Sequence, residues 1–206
     1  MIQPAARTIG LALAMAVTLA GCAMFESDQP MFAAETGAPI YGAAPVLVSW
    51  RPLDPDEKPR RIKVDATFAN GVYAMQARDE DDTVWRESLH AVDGGTEFYV
   101  QQVEMAQEGE PAERVYYYDL LRVRPDGVWA YQLRCGDLSR EERDAFGFTP
   151  PPPAANPDGS PGAESSTCVV RSPDRLRDAF QLLASRQEPR AHATVKPKKR
   201  GWFSRP

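Results

Sequence analysis

The chain has 206 residues, 24 basic and 29 acidic side chains, a net charge of −5, three cysteines and two histidines. Its longest apolar run, residues 9–20, falls short of the roughly twenty residues that cross a bilayer as a helix, and no later stretch competes, so a permanent transmembrane helix is not expected. No nucleophile elbow, Gly-rich phosphate loop or zinc-protease helix motif occurs. The chain is therefore expected not to be an enzyme and to carry no cofactor.

At the amino terminus, Arg7, the apolar run and the sequence Leu19-Ala20-Gly21-Cys22 follow one another, the order of an export signal. The last four residues resemble the lipobox of bacterial lipoproteins, and the resemblance ends at about residue 23. It implies cleavage after Gly21, a diacylglyceryl thioether on Cys22 and, usually, a third acyl chain on the new amino terminus. Two or more chains hold a protein stably to a membrane. Ala23 stands where many Gram-negative lipoproteins retained in the inner membrane carry Asp, so the resemblance implies an outer-membrane anchor with the domain in the periplasm.

Residues 22–45 are rich in Ala, Gly, Pro and acidic groups without periodicity, and read as a flexible lipidated tether. From residue 46 short alternating runs begin. Ile62, Val64, Ala66 and Phe68 share one face of a strand, and Asn70-Gly71 predicts a tight hairpin into residues 72–77. Further strands are expected at residues 46–50, 83–92, 96–106, 114–123 and 128–134, divided by Asp93-Gly94-Gly95, Glu108-Gly109-Glu110-Pro111 and Pro125-Asp126-Gly127. About seven strands in meander order predict a mainly β fold, an antiparallel small barrel or sandwich. Tyr116 and Tyr118 are expected on one face and Tyr117 on the other. Val115, Phe98, Tyr117 and Trp129 are the candidates to fill the interior.

Ser139 and Glu142 form a capping-box pattern that predicts a short helix. Residues 149–167, with Pro150 to Pro153, Pro157 and Pro161, read as a mobile loop. Residues 169 and 170 fit an edge strand. Ser172-Pro173 then starts a C-terminal helix, whose Leu176, Ala179, Phe180 and Leu183 line one apolar stripe. Residues 46–184 are thus one β-rich domain. After export, Cys135 and Cys168 lie in an oxidising compartment, where a disulfide is expected to clamp the Pro-rich loop.

From Ser185 onward seven basic residues stand against Glu188 alone, whereas residues 22–184 hold 16 basic and 28 acidic side chains, a balance of −12. Residues 185–206 are read as a disordered basic tail. Lys196, Lys198, Lys199, Arg200 and Arg205, with Trp202 and Phe203, are the candidate contacts to a membrane or another anionic envelope surface. No metal site is expected: His90 and His192 lack ligand spacing, and Asp79-Glu80-Asp81-Asp82 reads as a solvated hairpin tip. The expected function is a lipid-anchored, non-enzymatic binding or structural module with a membrane and a protein as partners and no nucleic acid. Two alternatives are a carrier of a small apolar ligand in a lipocalin-like barrel and an inhibitor of a basic hydrolase, the latter motivated by the acidic domain.

Overall fold

The computed structural model of the chain describes residues 24–55, 61–78, 83–95, 97–106, 114–149 and 167–198. Among the described residues ten strands follow in chain order: β1 (Phe25–Ser27), β2 (Val46–Pro52), β3 (Ile62–Ala69), β4 (Val72–Ala77), β5 (Val84–Ala91), β6 (Phe98–Ala106), β7 (Arg114–Arg124), β8 (Gly127–Ala130), β9 (Cys168–Val169) and β10 (Ala191–Pro197). The helices are α1 (Arg140–Phe146) and α2 (Pro173–Ala184).

The expected meander exists and closes. Strands β2 to β8 pair with their sequence neighbours, and β10 joins β8 to β2, giving an eight-stranded antiparallel barrel. The Asn70-Gly71 turn has φ of 51° and 77°, the paired left-handed conformation that a two-residue hairpin demands. The strand expected over residues 128–134 ends at Ala130. There the chain turns away through Gln132, at φ 51°, and the vacated edge of β7 is taken by β1, which pairs Phe25 with Tyr118. Asp119 lies at this handover. Its Oδ1 accepts the N–H groups of Leu120 at 2.9 Å and Leu133 at 3.1 Å, donors that would otherwise have no strand opposite.

Two of the expected segments behave otherwise. The tether, from Met24 on, is part of the fold: after β1 it crosses the outside of β5 and β6, then bends over one barrel mouth before entering β2. Ala38 N–H donates to the Leu89 carbonyl, on the stretch of β5 that β4 is too short to pair. The tail is also corrected, because residues 191–197 are the strand that closes the barrel, paired with β2 along its whole length. Alternation of Ala191, Ala193 and Val195 toward the interior with His192, Thr194 and Lys196 outward is a strand pattern. The run of positive charge around it hid that pattern.

The hydrophobic residues form two cores. Inside the barrel lie Val48, Val64, Tyr73, Met75, Leu89 and Leu121, with Tyr41 from the amino-terminal wrap. Outside, Phe25, Val100, Tyr118, Leu120, Phe148 and the stripe Leu176, Ala179, Phe180 and Leu183 of α2 pack against the outer faces of β5 to β7. Phe25 meets the rings of Phe148 and Phe180 edge-on at 5.6 and 5.1 Å. Both helices start as the sequence predicts. Ser139 and Glu142 form the capping box, and the Ser172 hydroxyl accepts from Arg175 N–H with Pro173 in the first turn. The expected disulfide joins Cys135 to Cys168, Cα atoms 5.5 Å apart, in the second core.

Candidate functional site

The barrel interior is the first place to look for a ligand, and it is occupied by the chain's own side chains. Tyr73, Met75 and Leu89 are at most 1% exposed. The wrap inserts Tyr41 from above: its backbone N–H donates to the Tyr73 hydroxyl at 3.0 Å, and that hydroxyl donates to the Gly42 carbonyl at 2.9 Å. Tyr117 and Val115 lie on the strand face that carries Leu121, but both are half-buried and neither joins the interior core. Phe98 and Trp129 do not face inward. Phe98 lies under Arg122, and Trp129 packs at a tilt beside His192, ring centroids 4.4 Å apart, on the barrel's outside.

Glu87 places a carboxyl group in this interior, at a position whose sequence context resembles that of any polar strand residue. Glu87 alternates inward with Trp85 and Leu89, and its Oε2 accepts from Trp85 Nε1 at 3.1 Å and Gln101 Nε2 at 2.8 Å. Its Oε1 and the Tyr41 hydroxyl are both buried without a hydrogen bond of good geometry. Burial raises the Glu87 pKa against the pull of Trp85, Gln101 and Tyr41. Burial, together with Glu87, also holds the Tyr41 pKa well above that of free tyrosine.

A second polar cluster lies beneath the wrap. His90 Nδ1 is 3.0 Å from Thr36 Oγ1, and its Nε2 is 2.8 Å from Ser88 Oγ. The protons can be assigned by following the donors. Thr36 Oγ1–H is used on the Ala33 carbonyl, so Thr36 must accept from His90 Nδ1–H; Nε2 then accepts from Ser88 Oγ–H. Ser88 in turn accepts from Gln102 Nε2, whose Oε1 accepts Phe32 N–H. Every proton has a place only while His90 is neutral. Burial, with Arg177 nearby, lowers its pKa to about 4. Phe32 stacks on the imidazole at 4.8 Å, and the Arg177 guanidinium lies over the Phe32 ring at 4.9 Å. The Ser88–His90 contact has the reach of a nucleophile and base, but both side chains are 3% exposed under this lid.

Outside the barrel, a groove of about 330 Å³ opens between the end of α2 and the sheet, lined by Val92, Phe98, Leu120, Tyr131, Arg122 and Gln181 among others. Its floor is apolar. Arg122, paired with Glu97, supplies a cation at the rim.

A third surface is the outward face of β8, β10, β2 and β3. Register aligns Arg122, Trp129, His192 and Arg51 in one row, and Thr194, Ser49 and Lys63 in the next. Of the expected tail contacts, Lys196 is exposed on β10, and Lys198 pairs with Asp65 at 3.1 Å. Lys199, Arg200, Trp202, Phe203 and Arg205 lie outside the described residues, as do Cys22, Asp79 to Asp82 and the Pro-rich loop from 150 to 166. Among the described residues no group of three or more His, Cys, Asp and Glu is placed to hold a metal, and no helix is long and apolar enough to cross a membrane.

The fold defines the class as a closed, eight-stranded antiparallel barrel with an outer helical layer. Compared with known protein families, curated proteins and solved structures, the chain matches none.

Proposed function

We propose that this chain is a non-enzymatic envelope module, anchored to a membrane through Cys22, that binds its partners with the outside of its barrel. The observation that carries this reading is the filled interior. A carrier barrel holds its ligand among inward side chains, and here Tyr41, Tyr73, Met75 and Leu89 occupy that volume. The groove under α2 and the basic sheet face are the surfaces left to a partner. The apolar floor of the groove, with Arg122 at its rim, suits an apolar side chain of a protein partner.

The test is native mass spectrometry of the chain purified from envelopes, with the amino-terminal peptide analysed separately. The expected mass is the polypeptide from Cys22 with its acyl groups and one disulfide. A stoichiometric small molecule retained by the folded protein would return the reading to the carrier, and an unmodified Cys22 would remove the anchor.

A further inference from the structure

The two cores leave one side of the barrel bare: α2 and the wrap cover β5, β6 and β7, while the outward residues of β2, β3 and β10 enter neither core. That bare side carries Arg51, Lys63, Lys196, Lys198 and, beside β8, Arg124. Asp65 is the acidic side chain within the paired rows, and it is taken by Arg78 and Lys198. Arg51, Lys63 and Lys196 have no ion-pair partner among the described residues. The Arg124 guanidinium rests 5.6 Å over Trp129, whose indole N–H donates to Asp126. A positive, aromatic-bearing face on a chain of net charge −5 means that the rest of the molecule is more acidic still. In the sequence, Lys199 and Arg200 follow β10.

The second observation is the length of chain before the fold. Met24 is already tied in, its carbonyl accepting Cys168 N–H at 2.8 Å. Only Ala23 separates it from Cys22, and two residues reach about 7 Å. With no twenty-residue spacer, an acylated Cys22 holds the barrel against the headgroups.

We propose that the basic face of β2, β3, β8 and β10 lies on the anionic headgroups of the membrane that holds the anchor, with Trp129 at headgroup level. The inference rests on the lipid-anchor reading for the nearness of the barrel to the membrane, while the orientation is argued from the face's own chemistry, cations and an interfacial indole against lipid phosphate.

The experiment uses the chain from residue 22 with Cys22→Ser, so that binding does not depend on acylation. Its sedimentation with vesicles of phosphatidylglycerol and phosphatidylcholine is compared with that on phosphatidylcholine alone, at low and high salt. Charge reversal of the face (Arg51→Glu, Lys63→Glu, Lys196→Glu) is set against an equal reversal on the helical side (Arg140→Glu, Arg171→Glu, Arg175→Glu). The face variant is expected to lose anionic-vesicle binding on the order of a hundredfold at low salt, with an unchanged far-ultraviolet circular dichroism spectrum, and the helical-side variant to lose far less. Equal losses in the two variants, or no dependence on anionic lipid, overturn the proposal, as does binding confined to peptidoglycan sacculi. Acylation is read independently from the mass of the amino-terminal peptide. Vesicle binding by an unacylated native chain would keep the face and discard the anchor.

Discussion

Two buried titratable residues set opposite pH dependences. His90 is neutral in the fold with its pKa near 4, against 6.5 when free. A depressed histidine contributes stability that is complete above pH 6.5 and is lost as pH falls toward 4, in all about 3 kcal/mol. We expect the His90 ring to remain the neutral Nδ1–H tautomer at pH 5 by nitrogen chemical shifts; an imidazolium signal there would refute the proton assignment. Glu87 works the other way. Its raised pKa means that the folded state resists the charged form, so its penalty is greatest at neutral pH and fades on acidification. Glu87→Gln keeps an oxygen for Trp85 and Gln101 and removes the buried charge beside the Tyr41 hydroxyl. This variant is expected to raise the unfolding free energy by about 1–2 kcal/mol at pH 7, with the gain shrinking toward pH 4. Glu87→Leu strands two buried donors and should destabilise. Urea unfolding at both pH values decides between them.

At the scale of elements, the wrap and the closing strand carry the risk. Gly37 and Gly71 lie so close that a Cβ on Gly37 would overlap the Gly71 carbonyl, and one on Gly71 the Ala34 carbonyl. Gly37 has an ordinary φ of −66°, so backbone freedom is not its reason; the close approach is. Gly37→Ala should destabilise by about 2 kcal/mol, as overpacking does, and loosen Tyr41, seen as faster amide exchange at Ala38. Strand β10 supports a sharper prediction. A chain ending at Ala184 lacks it and exposes the edges of β8 and β2, so it should aggregate or fail to give a cooperative unfolding transition. A chain ending at Lys198 should fold. A monomeric, cooperative 22–184 fragment in size-exclusion chromatography and thermal melts would contradict the barrel closure.

Across the whole molecule, the disulfide and β1 couple the outer layer to the barrel. Cys135 and Cys168 are separated by 33 positions, and a loop of that size corresponds to about 3–4 kcal/mol of lost chain entropy in the unfolded state. The pair lies in the outer core. Reduction is therefore expected to lower stability by up to that amount and to raise amide exchange first in α1, α2 and β1, ahead of β3 and β4. Uniform exchange across both cores would show that the two layers open as one.

The features legible in the sequence were those written in neighbouring residues. Period-two alternation marked β3, Asn70-Gly71 marked its hairpin, Ser139 with Glu142 and Ser172-Pro173 marked the helix starts, and the last two cysteines marked their own bridge. Each depends on local backbone geometry or on a pairing with no competitor. The roles decided by tertiary structure belong to residues whose partners are remote. Phe25 to Ser27 form a strand because β8 leaves the edge of β7 vacant. Tyr41 fills the barrel because β4 ends before β5 does. Residues 191–197, lysines and all, are a strand because two edges needed closing. Glu87 looked like any polar residue of a strand, and the register that turns it inward is a property of eight strands together. Local rules specify which segments can be strands; barrel closure, a long-range condition on edges and volume, decides which segments complete it and which side chains it traps.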